Sequence, residues 1–79
     1  LLSPSELRFT EYVLFGGDWK TAALQSGVSP SILADSINDK LFDVIGDTAI
    51  VWEGGTPVVP DDYADDVREL LKLSSPAPQ

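Results

Sequence analysis

Residues 29–59 read SPSILADSINDKLFDVIGDTAIVWEGGTPVV. Ser29 is a helix-capping residue, and Pro30 suits the first helical position because its missing amide would be unpaired there anyway. Behind them Leu33, Ile37, Leu41 and Val44/Ile45 recur at spacings of three and four, the period of a helix that buries one face. Asp35, Asp39, Lys40 and Asp43 take the opposite side, and Gly46 stops the helix. The next run, Thr48 to Glu53, is β-branched and aromatic and too short for another helix. Gly54-Gly55 and Thr56 to Val59 follow it, so the segment predicts a β-hairpin with a two-glycine turn. Pro57 has no amide to donate, which restricts the second strand to an edge or a very short strand. On the first strand Ile50 and Trp52 share one face and Ala49 and Val51 the other. With both faces apolar, one side is expected on the helices and the other under a different cover.

Working back toward the N-terminus, the Ser-Pro signal repeats at Ser3-Pro4, and Glu6 completes a capping box three residues after the cap. This helix is expected to reach Phe15. Its far end (Tyr12, Val13, Leu14, Phe15) is apolar nearly all round, which predicts deep burial. Gly16-Gly17 ends it, Asp18 caps a short second helix, and Gly27 closes that one. Working forward, Asp61 is expected to cap a fourth helix with an apolar stripe of Tyr63, Val67, Leu70 and Leu71. Asp61 and Asp62 lie at its positive end, where carboxylates are favourable. The expectation is an α+β, mostly helical domain over residues 1–73. Three helices, a hairpin and a C-terminal helix give it a helix-turn-helix or winged-helix-like order. Residues 74–79 read as a linker or disordered tail.

The chain has 79 residues, no His, no Cys and a formal net charge of -8. A single small domain of this size buries only about 60% of the surface its unfolded chain exposes. Without His or Cys, the common zinc, haem and iron–sulfur ligand sets are missing, and so is His-dependent activation of a nucleophile. These absences predict a protein that is not an enzyme and carries no cofactor. No apolar run approaches the length of a membrane span and no signal peptide is visible, so the expected location is cytoplasmic. The start at Leu1, without Met, predicts a piece cut from a longer chain, or else a processed product.

A DNA reader needs a cationic face. The five cations, Arg8, Lys20, Lys40, Arg68 and Lys72, are scattered, and the would-be recognition helix sets one Lys against three Asp. Asn38 is the lone residue there suited to a base edge; otherwise it is a solvated helix residue. Nucleic-acid binding by this segment alone is therefore disfavoured, though a winged-helix reading stays open. Asp35, Asp39 and Asp43 form a column at i, i+4, i+8, read either as a solvated face or as a docking face for a basic partner. Asp43 and Asp47, with Glu53 if the hairpin folds back, are weak candidates for a divalent cation, although no EF-hand spacing is present. A second acidic group, Asp61, Asp62, Asp65 and Asp66, reads as capping plus a solvated face, with a partner site as the alternative and Arg68 partly offsetting Asp65. Trp19 and Trp52 read first as core anchors, and Trp52 also as a possible contact for a partner.

The run from Asp35 to Asp47, with Ile37-Asn38-Asp39 leading to Gly46-Asp47, then the hairpin and Asp61-Asp62-Tyr63, resembles the end of the TerB-C domain family. The resemblance spans Pro30 to Leu71. It implies a non-enzymatic accessory domain of a larger bacterial protein, of the kind linked with tellurite resistance, stress or phage defence. The positions that match the family's pattern are Asn38, Asp39, Asp43, Asp47 and Tyr63, and no catalytic role attaches to them. Taken with the acidic column, this predicts a protein–protein interaction module. Its partner would be another protein or another domain of the same chain, bound through Asp35, Asp39, Asp43 and Trp52.

Overall fold

A computed structural model describes residues 2–73. The tail expected over residues 74–79 lies outside the described residues. The described residues form four helices, α1 (Pro4–Phe15), α2 (Trp19–Ser26), α3 (Pro30–Ile45) and α4 (Asp61–Leu71), with a hairpin of β1 (Val51–Glu53) and β2 (Thr56–Val58) between α3 and α4 in chain order. The fold is α+β and mostly helical, in the order the sequence predicts.

Local chemistry sets three of the four helix starts. Ser3 accepts from the Glu6 amide while the Glu6 carboxylate accepts from the Ser3 amide, so the capping box is complete. Asp18 Oδ1 accepts from the Thr21 amide, and Ser29 Oγ from that of Ile32. The fourth start differs from expectation. Asp61 is not the cap: it is the first helical residue, Pro60 holds the cap position, and no side chain caps the helix. Asp61 and Asp62 both fall in the first turn, where the helix dipole favours them. At the other end, Lys72 takes the left-handed conformation (φ 56°) that glycine takes in the same place after the other three helices.

The core gathers Phe9, Ala23, Leu33, Ala34, Ile37, Leu41, Ala49, Ile50 and Val67. The α3 stripe is as the periodicity predicts, except that Val44 is exposed and Ile45 half-buried. On α1 the expectation of a deeply buried far end is overturned. Phe9 is fully buried, whereas Tyr12 to Phe15 are only half-covered. A domain this small has one layer of core, and the middle of α1 occupies it.

The hairpin is antiparallel, with Val51 opposite Val58, Trp52 opposite Pro57 and Glu53 opposite Thr56. It is shorter than the expected Thr48–Glu53 strand. Thr48 donates its amide to the neighbouring Asp47 Oδ1, and the Ile50 backbone bonds to a side chain of α3 rather than to β2. The two-faced apolar reading of β1 also fails. Ala49 and Ile50 are both buried, because the chain before Val51 is not extended strand, while Trp52 on the strand proper is 40% exposed. Pro57 is tolerated because each strand of a two-stranded sheet has a free edge.

Candidate functional site

The outer side of α3 carries the acidic column. Asp35, Asp39 and Asp43 are all exposed. The helical period sets two large apolar residues beside them, Ile32 at 61% and Phe42 at 53% exposure. Ile32, Asp35, Asp39 and Asp43 stand at i, i+3, i+7 and i+11 on one side of the helix, with Phe42 on its edge. This mixed character was not read from the sequence. The apolar residues that satisfy the core period drew attention, and Ile32 and Phe42 fall outside it.

Trp52 is held elsewhere. Its ring meets Trp19 edge-on at 5.8 Å, and Trp19 meets Phe9 edge-on at 6.2 Å. The three rings form a chain from the core to the surface, in the edge-to-face geometry favoured by the ring quadrupoles. Trp52 is thus both a packing residue and an accessible aromatic edge. Its aromatic contacts join it to the start of α2, not to the acidic column.

Asp43, Asp47 and Glu53 are not gathered into one cluster: among the described residues no group of three or more Asp or Glu is placed to share an ion. Both Asp47 oxygens have protein partners. Oδ1 accepts from the Thr48 amide at 2.7 Å and Oδ2 from the Tyr63 hydroxyl at 2.8 Å. The Tyr63 hydrogen bond, helped by the Thr48 amide, holds the Asp47 carboxyl below the usual carboxylate range. The same bond, together with the Asp47 charge, raises the Tyr63 phenol. This contact ties the loop after α3 to α4.

Asn38 is neither a base reader nor a solvated helix residue. Its Nδ2 donates to the Ile50 carbonyl at 3.0 Å, and its Oδ1 accepts from the Ile50 amide at 2.7 Å. One side chain satisfies both backbone groups of a residue that is 1% exposed, much as a neighbouring strand would. Only a carboxamide offers a donor and an acceptor at this spacing.

Glu6, read from the sequence only as a capping residue, is the most connected side chain among the described residues. It is 5% exposed. Lys40 Nζ lies 2.6 Å from Oε1, which also accepts from the Ser3 amide at 2.9 Å, and Ser36 Oγ donates to Oε2. Burial alone would raise the Glu6 carboxyl. The hydrogen bonds from Lys40, Ser36 and Ser3 and the Lys40 charge outweigh it and hold the pKa at about 2. Sequence separation hid this node, since Ser36 and Lys40 lie 30 and 34 residues away.

The remaining cations are also engaged in part. Lys20 sits over the Trp19 ring, and Arg68 lies over Phe15 and pairs with Asp65 at 3.3 Å, the i,i+3 pair the sequence suggested. An open groove of about 320 Å3 between α1, α2 and α3 is lined by Glu6, Ser36, Val28 and Ile32 among others. No described helix is long and apolar enough to cross a membrane.

Of the five positions that the family resemblance marks, three build the fold: Asn38 holds the hairpin to α3, and Asp47 with Tyr63 holds the α3 loop to α4. Asp39 and Asp43 are exposed. No curated protein and no solved structure matches the chain. The TerB-C domain does match, over residues 2–68, so the resemblance seen from Pro30 onward extends back through α2 and α1. The chain belongs to the TerB-C domain family.

Proposed function

We propose that this chain is a non-enzymatic interaction module of a larger bacterial protein that serves a stress, tellurite-resistance or defence role. The observation that carries this reading is the outer side of α3, where Asp35, Asp39 and Asp43 stand exposed beside Ile32 and Phe42. Ile32 and Phe42 add exposed apolar area beside these charges, a mixture that a protein partner can cover. Trp52 offers a second contact point, since its exposed edge is backed by Trp19 and so loses little freedom on binding. The polar groups of the interior are engaged in structure. Among the described residues no buried side-chain polar atom lacks a partner, and Glu6 is consumed by its own network. The nucleic-acid alternative is weakened because Lys40, the one cation of α3, is turned to Glu6.

The test is capture from a bacterial lysate by the wild-type chain and by the Asp35→Lys/Asp39→Lys/Asp43→Lys variant. Circular dichroism first establishes that both fold. Partners held by the wild type should be lost from the variant. Retention of every partner sinks the reading.

A further inference from the structure

Resting on the interaction reading above, we infer that the outer side of α3 docks a basic amphipathic helix. The strip from Ile32 to Asp43 covers twelve residues of one helix, roughly 16 Å end to end at 1.5 Å per residue. Apolar groups stand near its two ends, Ile32 (61% exposed) and Phe42 (53% exposed), and Asp35 and Asp39 lie between them with Asp43 beyond. An occupant must therefore bring two apolar contacts about three turns apart and cations in the interval. A helix with apolar residues recurring at i, i+3, i+7 and i+11 and Lys or Arg flanking them supplies that spacing.

Charge selects among occupants. The chain carries a net charge of -8. The column's own nearby cation, Lys40, is bonded to Glu6, so nothing on α3 offsets the three Asp. Nucleic acid and anionic lipid are repelled by such a face. A second copy laid along it would set Asp against Asp. A cationic helix gains attraction along the whole column and covers Ile32 and Phe42 with its apolar side.

Fluorescence anisotropy with a labelled 18-residue leucine/lysine helical peptide at physiological salt tests this. Two controls accompany it: a scrambled peptide of the same composition with no apolar face, and a leucine/glutamate counterpart. The wild-type chain should bind the amphipathic basic peptide at least about tenfold more tightly than either control. Three exposed ion pairs of modest strength each should together give about a tenfold loss in the Asp35→Asn/Asp39→Asn/Asp43→Asn variant. Phe42→Ser should weaken binding several-fold. The Asp62→Asn/Asp65→Asn/Asp66→Asn variant on α4 changes the net charge equally and should shift binding less than about threefold. Equal losses in the two triple variants would mean a diffuse field with no docking face, and would overturn the inference, as would equal binding of the scrambled peptide. If the α3 charge reversal abolishes capture from lysate but the basic peptide does not bind, the interaction module stands and the basic helical partner falls.

Discussion

Replacing Asn38 by alanine removes two hydrogen bonds to one residue, at 3.0 and 2.7 Å, and leaves the Ile50 amide and carbonyl without partners. Ile50 is 1% exposed, so neither group has easy access to water. An orphaned buried donor or acceptor costs about 1–3 kcal/mol. The half-buried Asn38 site can admit some water once the carboxamide is gone, which places each cost toward the lower end. The expected loss is about 2–4 kcal/mol. A chain of this length has roughly 4–12 kcal/mol in total, so the substitution removes a large share of it. The thermal midpoint should fall by about 10–30 °C. Urea unfolding followed by far-ultraviolet circular dichroism and tryptophan fluorescence measures the change. Asp39→Asn, one residue along and exposed, serves as the control and should stay within about 0.5 kcal/mol. Amide hydrogen exchange at Ile50 adds a local readout, and its protection should collapse in Asn38→Ala. A loss under about 0.5 kcal/mol with Ile50 protection intact would refute the latch.

Four further expectations concern other parts of the fold. The folded Glu6 pKa of about 2 lies below its usual 4.5, so its ionised form contributes stability at neutral pH that fades as pH falls from about 4.5 toward 2. The contribution is on the order of 3 kcal/mol, and subtracting the Glu6→Gln stability curve from that of the wild type should leave a difference that is level above about pH 4.5 and declines across that window. At Gly17 a Cβ would stand 2.5 Å from Tyr12 Cδ1 and 2.9 Å from Cγ, near the root of that side chain. Gly17→Ala should therefore cost about 1–3 kcal/mol in chemical denaturation, and a neutral result would mean that Tyr12 swings aside freely. Lys72→Gly should stabilise by about 1 kcal/mol by relieving a left-handed residue at the end of α4, read as a higher melting midpoint. The Tyr63 phenol, raised by its bond to Asp47, should titrate closer to its ordinary value in Asp47→Asn, as followed by ultraviolet absorbance.

Helix punctuation was legible because it is local chemistry. A Ser cap, a Pro in the first turn and a Glu three residues on act within a few residues of one another, and Ser3 to Glu6 behave as their order predicts. Gly54-Gly55 made the hairpin legible for the same reason. Misread features depend on neighbours. The cap of α4 passed from Asp61 to Pro60, a shift of one residue that composition cannot resolve. The first strand lost three residues because its preceding chain found better partners in Asp47 and Asn38. The acidic column was legible as exposed charge, but the presence of Ile32 and Phe42 beside it was not.

From sequence alone came the order of elements, the helix ends, the α3 core stripe and the charge along α3, since each follows from propensity, periodicity or composition along a few turns of chain. Tertiary structure alone decided which polar residues hold the domain together. Glu6 finds Lys40 across 34 residues, Asn38 finds Ile50 across 12, and Tyr63 finds Asp47 across 16. A hydrogen bond forms where groups meet in space, and packing of the apolar core, not the spacing of letters, brings these pairs within reach.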